Sequence, residues 1–300
     1  MNPEPRTLNP LPLPPLSPII AGCMSWGTWG KNLGTAEMAA RIAGFADLGV
    51  TTFDHADIYG NGTTEAAFGA ALQTCGVPRD RLQLITKCGI RFPDDRNPAS
   101  VKHYDYSAKA IETAVHNSLA NLRTDYLDLF LLHRPSPLLD PGIVAETIQN
   151  LQKQGKIRAF GVSNFPPSGM ALLQPHLAVA ANQIQCSLLH PEPLFDGTVD
   201  FHFQHRIATL AWAPLGGIFA KTDEQTQRTR NAVHQLARQM GCELEQIVLA
   251  WLGKHPANII PVVGTTELPR MKLACQAMEL TLETEAWFAL LEASRGHKVP

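Results

Sequence analysis

The chain has 300 residues, 45% of them hydrophobic and 17% charged, which is too apolar for disorder and enough for a large core. Lys and Arg number 25 against 27 Asp and Glu, a net charge of −2, so no basic surplus exists to neutralise phosphates and no nucleic-acid partner is expected. Six cysteines, at 23, 75, 88, 186, 242 and 275, never fall at C-x-x-C spacing. That excludes a small disulfide scaffold and a zinc knuckle.

Seven prolines stand among the first 18 residues. X-Pro steps favour extended chain, so residues 1–17 are expected to form a flexible or surface-draped arm ahead of one domain over 18–300. The arm has no apolar signal-peptide core, and no apolar run in the chain approaches the roughly 20 residues of a membrane span. A cytoplasmic protein with no membrane partner is the expectation. No heptad repeat signals a particular oligomer.

From residue 18 the chain alternates short β-rich apolar runs with stretches of helical period. PIIAGCM (18–24) reads as a strand and 35–48 as a helix stopped by Gly49. TTFDHA (51–56) is followed by a helix over 65–72. LQLITKCGI (82–90) is followed, after a long polar stretch, by a helix over 107–122. LDLFLLH (127–133) precedes a helix over 141–153. IRAFGVS (157–163) precedes a short helix over 168–173, and AVAANQIQCS (178–187) one over 200–205. IATLAWAP (207–214) precedes helices over 228–240 and 245–254. IIPVVG (259–264) is an eighth strand with its helix over 269–278. An additional terminal helix is expected over 283–294.

Near-continuous apolar strands separated by helices indicate parallel strands buried on both faces. Eight even units without a linker favour a single-domain (β/α)8 TIM barrel with a C-terminal extra helix. An open doubly-wound sheet would need a G-x-G-x-x-G after the first strand, and GTWG (27–30) lacks it.

In such a barrel, chemistry sits at the C-terminal ends of the strands. Asp54 and Lys87 fall within apolar strands, where neither charge is tolerable alone. The second and third strands are neighbours, so the two can pair. Tyr59 lies five residues past Asp54, where a nearby ammonium would lower its phenol pKa. His133, one strand further, can donate to a polarised carbonyl oxygen. Each has a plainer alternative: a structural ion pair, a loop tyrosine, a satisfied core histidine.

The blocks FDHADIYG (53–60), ITKCG (85–89), LDLFLLHRP (127–135), GKIRAFGVSNF (155–165), NQIQ (182–185), LAWAPLGG (210–217) and IIPVVGTT (259–266) together resemble the aldo-keto reductase superfamily, specifically a bacterial branch of its oxidoreductases. The resemblance runs in family order from about residue 19 to 264. It implies a TIM barrel that binds NADP(H) in extended form, needs no metal, and reduces a small-molecule carbonyl substrate. Asp54, Tyr59, Lys87 and His133 match the catalytic tetrad, with Tyr59 as general acid. Ser163, Asn164 and Gln183 match the positions that hold the nicotinamide carboxamide, and Trp212 the aromatic stacked on its ring. Ala213 and Pro214 lead into Leu215, Gly216 and Gly217, which match the loop along the pyrophosphate. Gly22 and Met24 match a backbone contact near the ribose, and Asp54 is also among the cofactor-binding positions. Gly264, Thr265, Thr266 and Arg270 match the segment around the adenosine 2′-phosphate, and Arg270 favours NADP over NAD.

The sequence departs from that pattern at several positions. Leu273 and Ala274 stand where an acidic residue and Asn contact adenine in many members, Gly264 replaces a basic residue, Ala213 a serine and His55 a threonine. These imply a weaker cofactor grip or a milder NADP preference, and His55 is expected to face away from the site. Trp26, Trp29 and Phe92 are candidates for an apolar pocket wall, and residues 91–107 for a polar substrate-side loop. An NADP-binding regulatory protein of the same fold, with slow or no turnover, is the alternative role. A metal-dependent hydrolase would have to recruit Asp54, His55, Asp57, His133, His202 or His205. Its first strand has no H-x-H, and the last two histidines fall on an outer helix.

Overall fold

Strands with apolar residues at every position have two faces to bury, and a closed barrel wrapped in helices does so. The computed structural model describes residues 13–93 and 100–299. Its elements in chain order are β1 (Ile20–Gly22), α1 (Thr35–Asp47), β2 (Thr52–Asp54), α2 (Thr64–Leu72), β3 (Gln83–Cys88), β4 (Ile90–Arg91), β5 (His103–Tyr104), α3 (Ala108–Leu122), β6 (Leu127–Leu132), α4 (Pro141–Lys153) and β7 (Ile157–Ser163). Then come α5 (Pro167–Leu173), β8 (Ala181–Gln185), α6 (Thr198–His205), β9 (Ala208–Trp212), α7 (Glu224–Met240), α8 (Leu244–Gly253), β10 (Ile260–Val263), α9 (Leu268–Ala277) and α10 (Thr284–Arg295). Eight strands close a parallel barrel in the order β1, β2, β3, β6, β7, β8, β9, β10. This is the (β/α)8 TIM barrel expected from the alternation, and α10 is the additional C-terminal helix.

Two side-chain layers follow from the period of two along each strand. Ile20, Ile85, Leu129, Leu131, Ala159, Ala181, Leu210 and Val262 fill the barrel interior. The alternate residues, among them Phe53, Leu84, Phe130, Leu132, Phe160 and Val162, face the helices. Leu13 and Leu16 pack against the interior set, and the buried Ser17 trades hydrogen bonds with Thr52 at 2.9 and 3.1 Å. Residues 13–17 of the N-terminal arm, leading into β1, therefore pack partly buried against the lower end of the barrel interior. Residues 1–12 of that arm lie outside the described residues.

Local chemistry explains where helix boundaries differ from expectation. α7 begins at Glu224, not 228, because the Asp223 side chain caps it by accepting from the Thr226 amide at 2.9 Å. The long stretch after Lys87 holds a small antiparallel ladder, β4 against β5. Two residues per strand are too few to leave a readable alternation. Among the described residues no helix is long and apolar enough to cross a membrane.

Near the N-terminal end of its strand, Asp128 on β6 is buried and turned toward the helix layer. It accepts from Arg79 at 2.8 Å, Arg158 at 3.3 Å and the Leu84 amide at 2.9 Å. Both guanidinium groups also lie over the Tyr126 ring, at 4.1 and 3.7 Å from its centroid. Asp128→Ala would strand a buried amide and two guanidinium groups. It is expected to lower stability by about 3 kcal/mol, read as a lower urea midpoint at unchanged m-value.

Candidate active site

The interior layer of the barrel predicts its own rim. Adding two residues to the last interior apolar position of a strand gives the next inward-facing residue. From Ile20 this is Gly22, from Ile85 Lys87, from Leu131 His133, from Ala181 Gln183, from Leu210 Trp212 and from Val262 Gly264. Thr52 leads to Asp54 in the same way, and Ala159 through Gly161 to Ser163. One ring at the C-terminal end thus collects residues from all eight strands. It borders a cavity of about 570 Å³.

At its floor the Lys87 ammonium is fully buried and has a partner for each of its three protons. It lies 2.8 Å from the Asp54 carboxylate, 2.7 Å from the His55 carbonyl and 3.2 Å from the Tyr59 hydroxyl. Gln183 donates to the other face of Asp54 at 2.8 Å. Burial works against the Lys87 charge, but Asp54 and the Tyr59 oxygen outweigh it, and the Lys87 pKa moves up. For Tyr59 the balance is the reverse of the sequence expectation. Burial pushes the phenol up, the Lys87 ammonium pulls it down, and burial prevails, so the Tyr59 pKa is raised. Tyr59 is therefore protonated across the physiological range, beside a cation placed to take up phenolate charge.

The His133 ring stands edge-on to Tyr59, with centroids 6.2 Å apart. Burial, and then Lys87, Arg134 and Lys102, drive its pKa down to about 2, so the imidazole is neutral. Its Nδ1 is buried without a partner among the described residues. An unpaired buried N–H costs more than a lone pair, which puts the proton on Nε2.

Along the opposite wall, Ser163 donates to the Gln183 carbonyl at 2.9 Å and accepts from Asn164 at 2.8 Å. Asn164 adopts a left-handed φ of 59°, and its Oδ1 accepts from the Trp212 indole at 2.9 Å. These bonds fix the indole as a cavity wall. Beyond it the chain turns sharply at Ala213 (φ 50°) and Gly216 (φ 60°). A Cβ on Gly216 would lie 2.7 Å from the Ser187 hydroxyl, so only glycine fits this turn. Ala213, Pro214, Leu215, Gly217, Met24 and Gly22 complete this side of the cavity.

Leu215, Val263 and Gly264 also border a second cavity of about 240 Å³, lined by Thr265, Arg270, Ala274 and Glu245. The two cavities share Leu215, Val263 and Gly264 and lie side by side along one trough. A Cβ on Gly264 would meet nothing within 4 Å, so the trough is open there. Thr266 lines neither cavity; it is buried and donates to Glu267 at 3.3 Å. Glu245 on α8, unremarked in the sequence, lies 4.0 Å from the Arg270 guanidinium.

Of the three aromatic wall candidates, Trp29 does line the main cavity, 6.1 Å from the Tyr59 ring. Trp26 is instead fully buried, edge-on to Phe45 and Phe53. Phe92 lines a different depression, beside Asp57. The stretch after Lys87 does reach the site: Ile90, Lys102 and Tyr104 line the cavity. Residues 94–99 of it lie outside the described residues. His55 faces outward, its ring 4.3 Å from that of Phe68, and Asp57 beside it is pushed up to about 7 by burial and by the Glu65 charge. His202 is bonded to Asn182 and Thr209 outside the barrel. Among the described residues no three His, Cys, Asp or Glu side chains are grouped to hold a metal.

The aldo/keto reductase family model matches residues 18–295. The oxidoreductase YcsN of Bacillus subtilis is 39% identical, covering 95% of this chain and 96% of its own. A 6-dehydroglucose reductase of Agrobacterium fabrum is 37% identical over 95% and 96%. An aldo/keto reductase of Klebsiella pneumoniae, solved with NADP and acetate, superposes with a TM-score of 0.76 at 25% identity, covering 95% of this chain and 93% of its own.

Burial lowers the His55 pKa to about 3, and Lys87 adds to the effect; both ring nitrogens lack partners among the described residues. The unfolded chain takes up a proton here below a pH of about 6.5 while the folded chain does not, so stability falls as pH drops through that window. His55→Leu is expected to remove about 2 kcal/mol of the stability lost between pH 7 and pH 5, measured by urea unfolding at both values.

Proposed function

The chain belongs to the aldo/keto reductase family, and from that premise we propose that it reduces an aldehyde or ketone to an alcohol with NADPH, Tyr59 supplying the proton. The observation that carries this is the Tyr59 hydroxyl, held 3.2 Å from a fully buried ammonium at the floor of an open cavity and faced by a neutral His133. The NADP in the Klebsiella structure and the reductase name of the Agrobacterium relative support it.

The trough suits an extended dinucleotide. Gln183, Asn164 and Ser163 offer amide and hydroxyl groups to a carboxamide, Trp212 a flat wall to its ring, the 213–217 turn room for a pyrophosphate, and Arg270 a cation to a 2′-phosphate. A bound nicotinamide supplies the hydride. The rest is the work of this chain. His133 Nε2–H donates to the substrate carbonyl oxygen and orients it. Tyr59 transfers its proton to that oxygen as negative charge develops. Lys87 stabilises the phenolate left behind, and Asp54, braced by Gln183, keeps Lys87 charged and in place.

Tyr59→Phe keeps the ring and removes the proton. It is expected to lower kcat for NADPH-dependent aldehyde reduction by about 10²–10⁴-fold while NADPH still binds, as read by fluorescence titration. Reduction by the native protein is expected to stay flat from pH 6 upward and to decline only above the reference tyrosine pKa of about 10. Equal activity in Tyr59→Phe would remove Tyr59 from the reaction. NADPH binding without reduction of any carbonyl would favour the regulatory role.

Glu245 sets a carboxylate against the group that would meet a 2′-phosphate. We expect Glu245→Gln to tighten NADPH binding about fivefold and to leave NADH binding unchanged, in parallel titrations.

A further inference from the structure

The charges around the active-site cavity are unevenly placed. Among the described residues Asp54 is the one carboxylate in its lining, and it is committed to Lys87 and Gln183. Two further cations face the cavity, Arg134 after β6 and Lys102 before β5, and both act electrostatically on His133. Neither has a carboxylate partner among the described residues. Both belong to the β3–β6 sector of the barrel, across from the β9–β10 sector that carries the 213–217 turn and Gly264. Lys102 is exposed at the rim of that sector, whereas the Arg134 guanidinium reaches over the cavity toward the Trp212 ring.

The position of Arg134 is built, not incidental. Its backbone is bracketed by one hydroxyl: Tyr106 donates to the Arg134 carbonyl at 2.5 Å and accepts from the Arg134 amide at 3.0 Å. Tyr106 is itself seated over Gly89, where a Cβ would lie 2.0 Å from its ring and φ is +110°. Only glycine permits that approach. Beyond the backbone, the Arg134 guanidinium lies 5.8 Å from the centroid of the Trp212 ring. It donates a hydrogen bond to none of the described residues. A half-buried guanidinium on a held backbone, with open donors, is a receptor for a group with two coplanar acceptor oxygens.

We propose that Arg134 is a specificity-determining residue, and that the substrate is a small aldehyde or ketone carrying a carboxylate, which Arg134 holds while the carbonyl lies between Tyr59 and His133. This rests on the carbonyl-reductase assignment above. A carboxylate suits the site better than a phosphate, because the surrounding wall of Trp29, Ile58, Ile90 and Trp212 is apolar and a single charge is less costly to desolvate than two. Lys102, exposed at the rim, draws the anion inward.

The test compares 4-oxobutanoate with butanal, substrates that differ by the carboxylate, and includes glyceraldehyde as a neutral hydroxylated aldehyde. The readout is the ratio of kcat/KM values. In the native protein it is expected to favour 4-oxobutanoate over both neutral aldehydes by at least about 10-fold. It is expected to fall about 30-fold in Arg134→Gln, chiefly through KM. Arg134→Lys keeps the charge without the fork and should give an intermediate ratio. A native ratio near one, a preference for glyceraldehyde, or a ratio that Arg134→Gln leaves unmoved would overturn the proposal. Butanoate binding to the NADPH-loaded protein, followed by tryptophan fluorescence, separates this from failure of the reductase assignment. If NADPH binds and no aldehyde is reduced, that assignment fails. Butanoate binding that Arg134→Gln abolishes still supports the anion site, and absent or equal binding overturns it.

Discussion

A bare ammonium at the centre of a protein is not tolerable, and the catalytic end of this barrel is arranged around making one so. Burying an isolated Lys87 charge would cost several kcal/mol even after relaxation. Three acceptors offset that cost, and they come from separate pieces of chain: the end of β2, the His55 backbone and the loop that carries Tyr59. Gln183, reaching across the barrel from β8, holds the carboxylate in turn. The pair ties opposite strands together at the level where the apolar interior ends. A cationic site fully enclosed in this way keeps its field unscreened by solvent.

That field explains two protonation states at once. It holds the Tyr59 pKa below where burial alone would put it, and it adds to the burial that keeps His133 neutral. The expectation of a phenol below its ordinary range took account of the ammonium and not of the desolvation, which a sequence does not display. The outcome still suits an acid. In the proposed reaction the proton would stay on Tyr59 in the ground state, and the stabilisation by Lys87 would grow only as phenolate forms, the differential effect that lowers a barrier.

How much of this is legible in the residues depends on whether the period of two carries it. The eight rim positions continue the same alternation as the interior apolar set, so the residue pattern alone puts Asp54, Lys87, His133, Gln183 and Trp212 at the strand ends. Features without a period are not visible in that way. Tyr106 lies in an irregular stretch, and its hold on Arg134 depends on a glycine 17 positions earlier in the chain. Trp26 and Trp29 stand three apart in one loop, yet one is core and the other lines the cavity, and no period separates them. Glu245 meets Arg270 only through the packing of α8 on α9. Thr266 follows Thr265 and turns away from the trough toward Glu267.

The two ends of the trough therefore carry opposite electrostatic designs. At the Arg270 end a cation is partly matched by a carboxylate from this chain, so the gain from a phosphate bound there would be reduced by what Arg270 gives up. At the Arg134 end the cations are unmatched among the described residues, so an anion bound there would have no carboxylate of theirs to displace. Competition from an internal partner weakens discrimination, while an open, preorganised cation strengthens it. In the proposed reaction the sharper electrostatic selectivity would then fall on the carbonyl substrate, beside an Arg134 whose backbone Tyr106 already holds.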